Sequence, residues 1–153
     1  MRKISLLIAV ALTVLLLPSC NGAPPSAYGL LTEFTESYGA SGVVYSPEID
    51  EGECGYTDGD FFETVYGAGV DFESDYAVLL SSSLDAVYEA AVFVTHDKSS
   101  MLYAEQLCRS RIELLTKMGF GEGAVIIKRA DTVFYSTLPD TARAEDIWRG
   151  IKI

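Results

Sequence analysis

From Ile4 to Leu17 the chain is apolar at every position except Ser5 and Thr13, and Arg2 and Lys3 stand just before that run. A membrane-spanning helix needs roughly 20 apolar residues, so this segment is too short to span and has the layout of a signal-peptide core. Beyond it the hydrophobic pattern changes to alternating helical and extended periods. Ser26 is placed to cap a helix carrying Leu30, Leu31, Phe34 and Tyr38 on one stripe, with Gly39 as its stop. Val43-Val44-Tyr45 reads as extended, a minor strand at most. Pro47 to Tyr56 is an acidic loop. Thr57, with Asp60 three residues on, has the form of a capping box for a short helix bearing Phe61, Phe62, Val65 and Tyr66, stopped at Gly67.

The second half has the clearer pattern. Asp75–Ser81 and Ala86–His96 are β-rich runs separated by a Ser/Asp turn. Asp97 or Ser99 opens the longest helix, which runs to Met118 and ends at Gly119. Ala124–Arg129 and Thr132–Thr137 follow as a hairpin around Ala130-Asp131. Pro139 suits the first turn of a last helix with Ala144, Ile147, Trp148 and Ile151 on its apolar side. Short links between strands favour antiparallel pairing. The reading is an α+β domain over residues 27–153. It has a mainly antiparallel four-stranded sheet in ββαββα order, helices packed on one face, and two short helices in front.

The leader closes Leu17-Pro18-Ser19-Cys20, then Asn21-Gly22. An ordinary signal-peptidase cut wants small residues one and three positions upstream, and the best such site, after Ala23, has Asn21 at the third position and Pro24 following. The pattern resembles a bacterial lipobox instead, in which the cysteine thiol is alkylated by diacylglycerol and the chain is cut before it. Residues 1–19 are then a lipoprotein signal peptide and residues 20–26 a lipidated tether. Fully extended, that tether reaches only about 20 Å, so the domain sits close to the bilayer. Several acyl chains hold such a protein almost permanently, because each buried methylene contributes about 0.8 kcal/mol.

Charge is distributed unevenly. No Lys or Arg occurs between Lys3 and Lys98, an interval that holds fifteen carboxylates. From Lys98 onward there are nine basic residues against seven acidic ones, and a chain starting at Cys20 has a formal charge of −13. Phosphate contacts need a basic surface, so this balance argues against nucleic acid as a partner. Lys98, Arg109, Lys117, Arg143 and Arg149 would face an anionic leaflet if they shared one side of the domain.

Candidate chemistry is sparse. Cys54 and Cys108 are the cysteines left after Cys20. Outside the cytoplasm such a pair suggests a disulfide. The alternative is two separate thiols, with Cys108 acting as a small hydrophobe in mid-helix. Glu48, Asp50, Glu51, Glu53, Asp58 and Asp60 offer oxygen ligands for a hard cation such as Ca²⁺. They do not follow the EF-hand order, since Gly52 and Cys54 stand at the third and fifth positions from Asp50. Unpatterned acid runs are more often hydrated surface. His96 is the sole histidine, so any Ser–His or Cys–His mechanism would run through it, but its position suits the end of a strand or the start of a helix. The glycine-rich pieces 66–70 and 119–123 lack a Walker lysine and read as helix stops.

The lipobox, Phe-Phe-Glu-Thr-Val-Tyr-Gly at 61–67, Glu89-Ala-Ala-Val-Phe93 and Cys108-Arg-Ser-Arg-Ile-Glu-Leu-Leu115 together make the chain similar to a known family. It comprises small bacterial surface lipoproteins grouped as domain-of-unknown-function family 4358. The similarity runs from about Tyr56 to the C-terminus. It implies a lipid anchor at Cys20 on the extracytoplasmic face of a bacterial cell membrane, and no catalytic residue. Family members often have Lys- and Ala-rich leading helices, whereas this chain is acidic there.

The expectation is a lipid-anchored, non-enzymatic binding or envelope-accessory module whose partner is an envelope protein, peptide or glycan. The rivals are an envelope hydrolase using carboxylates and a Ca²⁺-dependent adhesion or assembly factor. The intact mass of protein from membranes of its native host tests the anchor. The expected species starts at Cys20 and carries diacylglycerol, and the modification disappears in Cys20→Ala. An unmodified mass indifferent to that change rules the anchor out.

Overall fold

Three strand segments are apolar without alternation: Tyr76 to Leu79, Ala90 to Phe93 and Val133 to Tyr135 are all buried. Side chains along a strand point alternately to the two sheet faces, so a strand buried at every position needs cover on both. The computed structural model, which describes residues 24–67, 75–83 and 86–153, has that arrangement. The leader, Cys20 and the first part of the tether lie outside the described residues.

The fold is α+β, and among the described residues it has a five-stranded antiparallel sheet and four helices. In chain order the elements are α1 (Ala27–Tyr38), β1 (Gly42–Tyr45), α2 (Gly59–Tyr66), β2 (Asp75–Ser81), β3 (Glu89–Val94), α3 (Lys98–Lys117), β4 (Val125–Arg129), β5 (Thr132–Ser136) and α4 (Thr141–Gly150). The strands lie in the order β1-β2-β3-β5-β4, every pair antiparallel. Two expectations are corrected. The sheet has five strands rather than four, because Gly42–Tyr45 pairs along β2 from Gly42↔Ser81 to Tyr45↔Val78. The helices cover both faces rather than one.

Residue parity decides which helix covers which face. Ala77, Leu79, Ala90, Val92 and Phe134 point to the side of α1 and α4, where Leu30, Leu31, Phe34, Ala144 and Trp148 complete one core. Trp148 stacks on Phe134 with ring centroids 4.3 Å apart, and Phe34 meets Phe134 edge-on at 4.8 Å. On the opposite face Tyr76, Val78, Ala91, Phe93, Val133 and Tyr135 pack under Phe62 of α2 and Ala104, Leu107 and Cys108 of α3. Arg143 and Arg149 on α4 are therefore separated by the sheet from Lys98, Arg109 and Lys117 on α3. The single basic face considered for an anionic leaflet does not form.

Local signals behave mostly as the sequence suggests. The Ser26 hydroxyl accepts from the Gly29 N–H at 3.2 Å, and Gly39 closes α1 in the left-handed region at φ 73°. Asp97 and Ser100 form a reciprocal capping box on α3. For α2 the cap is Asp58, whose carboxylate accepts from the Asp60 and Phe61 N–H groups. Thr57 is turned inward instead, and its hydroxyl pairs with that of Tyr76 at 3.0 Å. An anionic side chain answers the positive end of a helix better than a hydroxyl does, which leaves the threonine free for the buried contact. Pro139 precedes the Asp140 cap of α4 rather than lying in its first turn. At the other end of α4, Arg129 Nη1 donates to the carbonyls of Trp148, Arg149 and Ile151. Among the described residues no helix is long and apolar enough to cross a membrane.

Candidate functional site

A carboxylate interrupts the buried face of β3. Glu89 has the parity of Ala91 and Phe93, so its side chain enters the core under α2 and α3, and the residue is only 3% exposed. A lone ionised carboxylate there would cost several kcal/mol in lost hydration. Arg111 compensates it. Arginine at this position lies on the inward stripe of α3, four residues after Leu107 and four before Leu115. Its Nε donates to Glu89 Oε1 at 2.8 Å and its Nη2 to Oε2 at 2.7 Å, a two-pronged fork. Nη1 donates to the carbonyl of Val65 at 2.9 Å, one of the unsatisfied carbonyls at the end of α2.

Two phenols extend the cluster. The Tyr135 hydroxyl, from β5, donates to Glu89 Oε1. Its single hydrogen is thereby spent, so the Tyr66 hydroxyl 3.1 Å away must be the donor to the Tyr135 oxygen. Burial first, and the Glu89 charge after it, push the Tyr66 phenol well above its ordinary range. Tyr135 is raised in the same way by burial, then by Tyr66 and Glu89, so both hydroxyls keep their protons. The forked contact with Glu89 raises Arg111 further and fixes its charge.

Beside this cluster, where the β2 and β3 ends meet the C-terminal turn of α3, is a cavity of about 280 Å³. Glu89 and Arg111 form its charged part, Ser81, Ser82 and Ser83 border it, and Leu115, Met118 and Phe120 provide apolar wall. Met118 and Phe120 are 58% and 38% exposed, so the apolar wall continues onto the surface. A second depression of about 400 Å³ lies between α3 and β4 near Arg109 and Ile126. Arg109 there makes a surface pair with Glu105 at 2.6 Å, the weaker kind of interaction.

The residues singled out by sequence are placed elsewhere. Glu48, Asp50, Glu51 and Glu53 are exposed along the loop between Ser46 and Tyr56, while Asp58 and Asp60 serve the start of α2. Among the described residues no three Asp, Glu, His or Cys side chains are placed to hold a metal ion. The bridge considered between Cys54 and Cys108 is not formed. Cys54 is exposed on the loop, and Cys108 is a free thiol sealed between α3 and the sheet. Burial pushes the Cys108 thiol far up, which keeps it protonated and poorly nucleophilic. His96 is exposed immediately before the Asp97 cap of α3.

One loop acid does acquire a partner. Asp75, at the start of β2, accepts from the Ala27 N–H at 2.6 Å and lies against Glu48. Burial raises its carboxyl to about 6, the Glu48 hydrogen bond and charge add to the rise, and the Ala27 hydrogen bond and His96 oppose it. Asp75 Oδ1 is buried without a hydrogen-bond donor, whereas Oδ2 takes the Ala27 N–H. The cluster of Glu89, Arg111, Tyr66 and Tyr135 went unpredicted, although two signals were readable: a glutamate with core parity in an apolar strand, and an arginine on the apolar stripe of a helix.

No family model matches the chain, and no curated protein and no solved structure matches it.

Two expectations follow from this geometry. Arg111→Met leaves Glu89 buried without its counter-charge and should cost about 3–5 kcal/mol in denaturant unfolding, with Glu89→Gln in the same chain restoring most of it. A single-variant loss below about 1 kcal/mol would show that the pair is not coupled in this way. Asp75 binds its proton more tightly folded than unfolded, between its ordinary 3.8 and about 6. Its contribution to stability therefore increases as pH falls through 6 and is absent above it. The melting temperature of the natural chain should gain on that of Asp75→Asn between pH 7 and pH 5, and parallel curves would contradict the assignment.

Proposed function

We propose that the chain is a lipid-anchored extracytoplasmic binding module, held at the membrane through Cys20, and that it receives an envelope partner at the cavity beside Arg111. One observation carries the reading: a guanidinium held by Glu89 and the Val65 carbonyl lines a cavity whose apolar wall, through Met118 and Phe120, opens onto the surface. Concave sites with a few fixed polar groups on an apolar lining are the usual form of small-ligand and side-chain recognition. The leader sequence and the resemblance to small surface lipoproteins support the extracytoplasmic setting. The rival reading, a hydrolase using paired carboxylates, draws on Asp75 beside Glu48, since acids raised by burial and a like charge recur at catalytic sites. That pair lies at the opposite end of β2 from the cavity, so variants can address each alone.

A photo-activated cross-linking residue at Phe120, in intact cells of the native host, should give an adduct. The same residue at Asp146, on α4 across the sheet, should give none, and Leu115→Trp, which fills the cavity, should suppress the Phe120 product. Equal yields at 120 and 146, or indifference to the filled cavity, would reject the reading.

A further inference from the structure

We infer that the cavity takes a carboxylate carried on a short apolar body, with Arg111 as the recognising group and Glu89, Tyr135 and Tyr66 as positioning residues. The inference rests on the binding-module reading and specifies its ligand. A guanidinium carries five N–H donors. Three are committed within the protein: two to Glu89 and one to the Val65 carbonyl. Two remain on a side chain that lines the cavity and is 17% exposed.

The acceptors in the cluster are mostly spent. Glu89 accepts two bonds from Arg111 and one from Tyr135, which takes three of the roughly four acceptor sites of a carboxylate. The Ser81 hydroxyl accepts from the Tyr88 N–H and still has its own hydrogen to offer. At the charged end of the cavity Arg111 thus has two N–H groups left to give, while most acceptor sites of Glu89 are taken. That composition disfavours ammonium and guanidinium ligands, which bring only donors. It suits an acceptor head, and two N–H groups in one guanidinium plane match the two oxygens of a carboxylate. A dianionic phosphate would be repelled more strongly by Glu89 close by.

The rest of the cavity selects the body. Leu115, Met118 and Phe120 form a wall whose outer part is exposed, so a short branched hydrocarbon can lie along it while the head reaches Arg111. Because the guanidinium is already held in place by Glu89 and Val65, little of its rotational freedom remains to be lost on binding. The network of phenols behind Glu89 keeps the carboxylate, and through it the fork, in one orientation.

The test uses the full mature chain in lipid nanodiscs and follows the Arg111 Nε–H resonance by NMR. The probes are 4-methylpentanoate and N-acetyl-leucine, each beside its uncharged amide. Both sources of a carboxylate, a free acid and a peptide terminus, are thereby represented. The acids should shift the Arg111 signal and bind at least about tenfold more tightly than their amides. Met118→Glu, a change at a well-exposed position, should weaken the acids about fivefold or more and leave the amides nearly unaffected. The tighter of the two acids identifies the source, and either carries the proposal. Amides equal to acids, or an Arg111 signal unmoved by any probe at about 10 mM, overturns it. If the Phe120 adduct forms in cells while the acids do nothing, the ligand class is wrong and the binding reading stands. If both fail, both fall.

Discussion

The buried pair of Glu89 and Arg111 is the joint on which one half of this fold turns. It links β3 to α3 through the fork, α3 to the end of α2 through the Val65 carbonyl, and β3 to β5 through Tyr135. A hydrophobic cluster alone would hold the same layers together but would tolerate small slides of one helix over the sheet. Directional bonds to a charge that cannot be left bare do not tolerate them. The orientation of α2 and α3 on that face is therefore set electrostatically as well as by packing.

The two faces of the sheet are built by different means. Under α1 and α4 the contacts are apolar and aromatic, with Phe34, Phe134 and Trp148 packed ring on ring and small Ala77 and Ala90 beneath α1. Under α2 and α3 phenols and a salt bridge are mixed with Phe62 and Phe93, and the cavity opens where that mixture reaches the end of the sheet. Polar groups held in a low-dielectric setting are where recognition chemistry can be positioned; the salt bridge and phenols lie on this face, while Asp75, against the N-terminus of α1, lies on the other.

Acidity is used locally rather than collectively. Asp58, Asp97 and Asp140 each cap a helix, Glu89 anchors the core network, and Asp75 meets the N-terminus of α1. The loop acids 48–53 stay hydrated on the surface, apart from the contact of Glu48 with Asp75. A dense acidic stretch in a sequence suggests one shared ligand, yet here four of the six carboxylates stay on the exposed loop, Asp58 and Asp60 serve the start of α2, and among the described residues no three are placed to hold a metal ion.

Element types and caps were legible in the sequence because they depend on neighbours a few residues away. The helical stripes, the Ser26 and Asp97 caps, the Gly39 and Gly67 stops and the β4–β5 hairpin all rest on such local patterns. Val43–Tyr45 was legible as extended, a minor strand at most, but its place as a fifth strand of the sheet was not, since Gly42–Tyr45 joins it only by pairing with β2 some 36 residues later, at Gly42↔Ser81 through Tyr45↔Val78. Nor was the second covered face, although unbroken burial in β2, β3 and β5 required it. The members of the site could be read one by one, Glu89 by its core parity and Arg111 by its place on the helix stripe, but their pairing depended on tertiary structure. Glu89 and Arg111 are 22 residues apart, and Tyr66 and Tyr135 are 69 apart. Only the folding of α2 and α3 onto one face places a charge and its counter-charge at the same buried point, and long-range pairing of that kind has no signature in local periodicity.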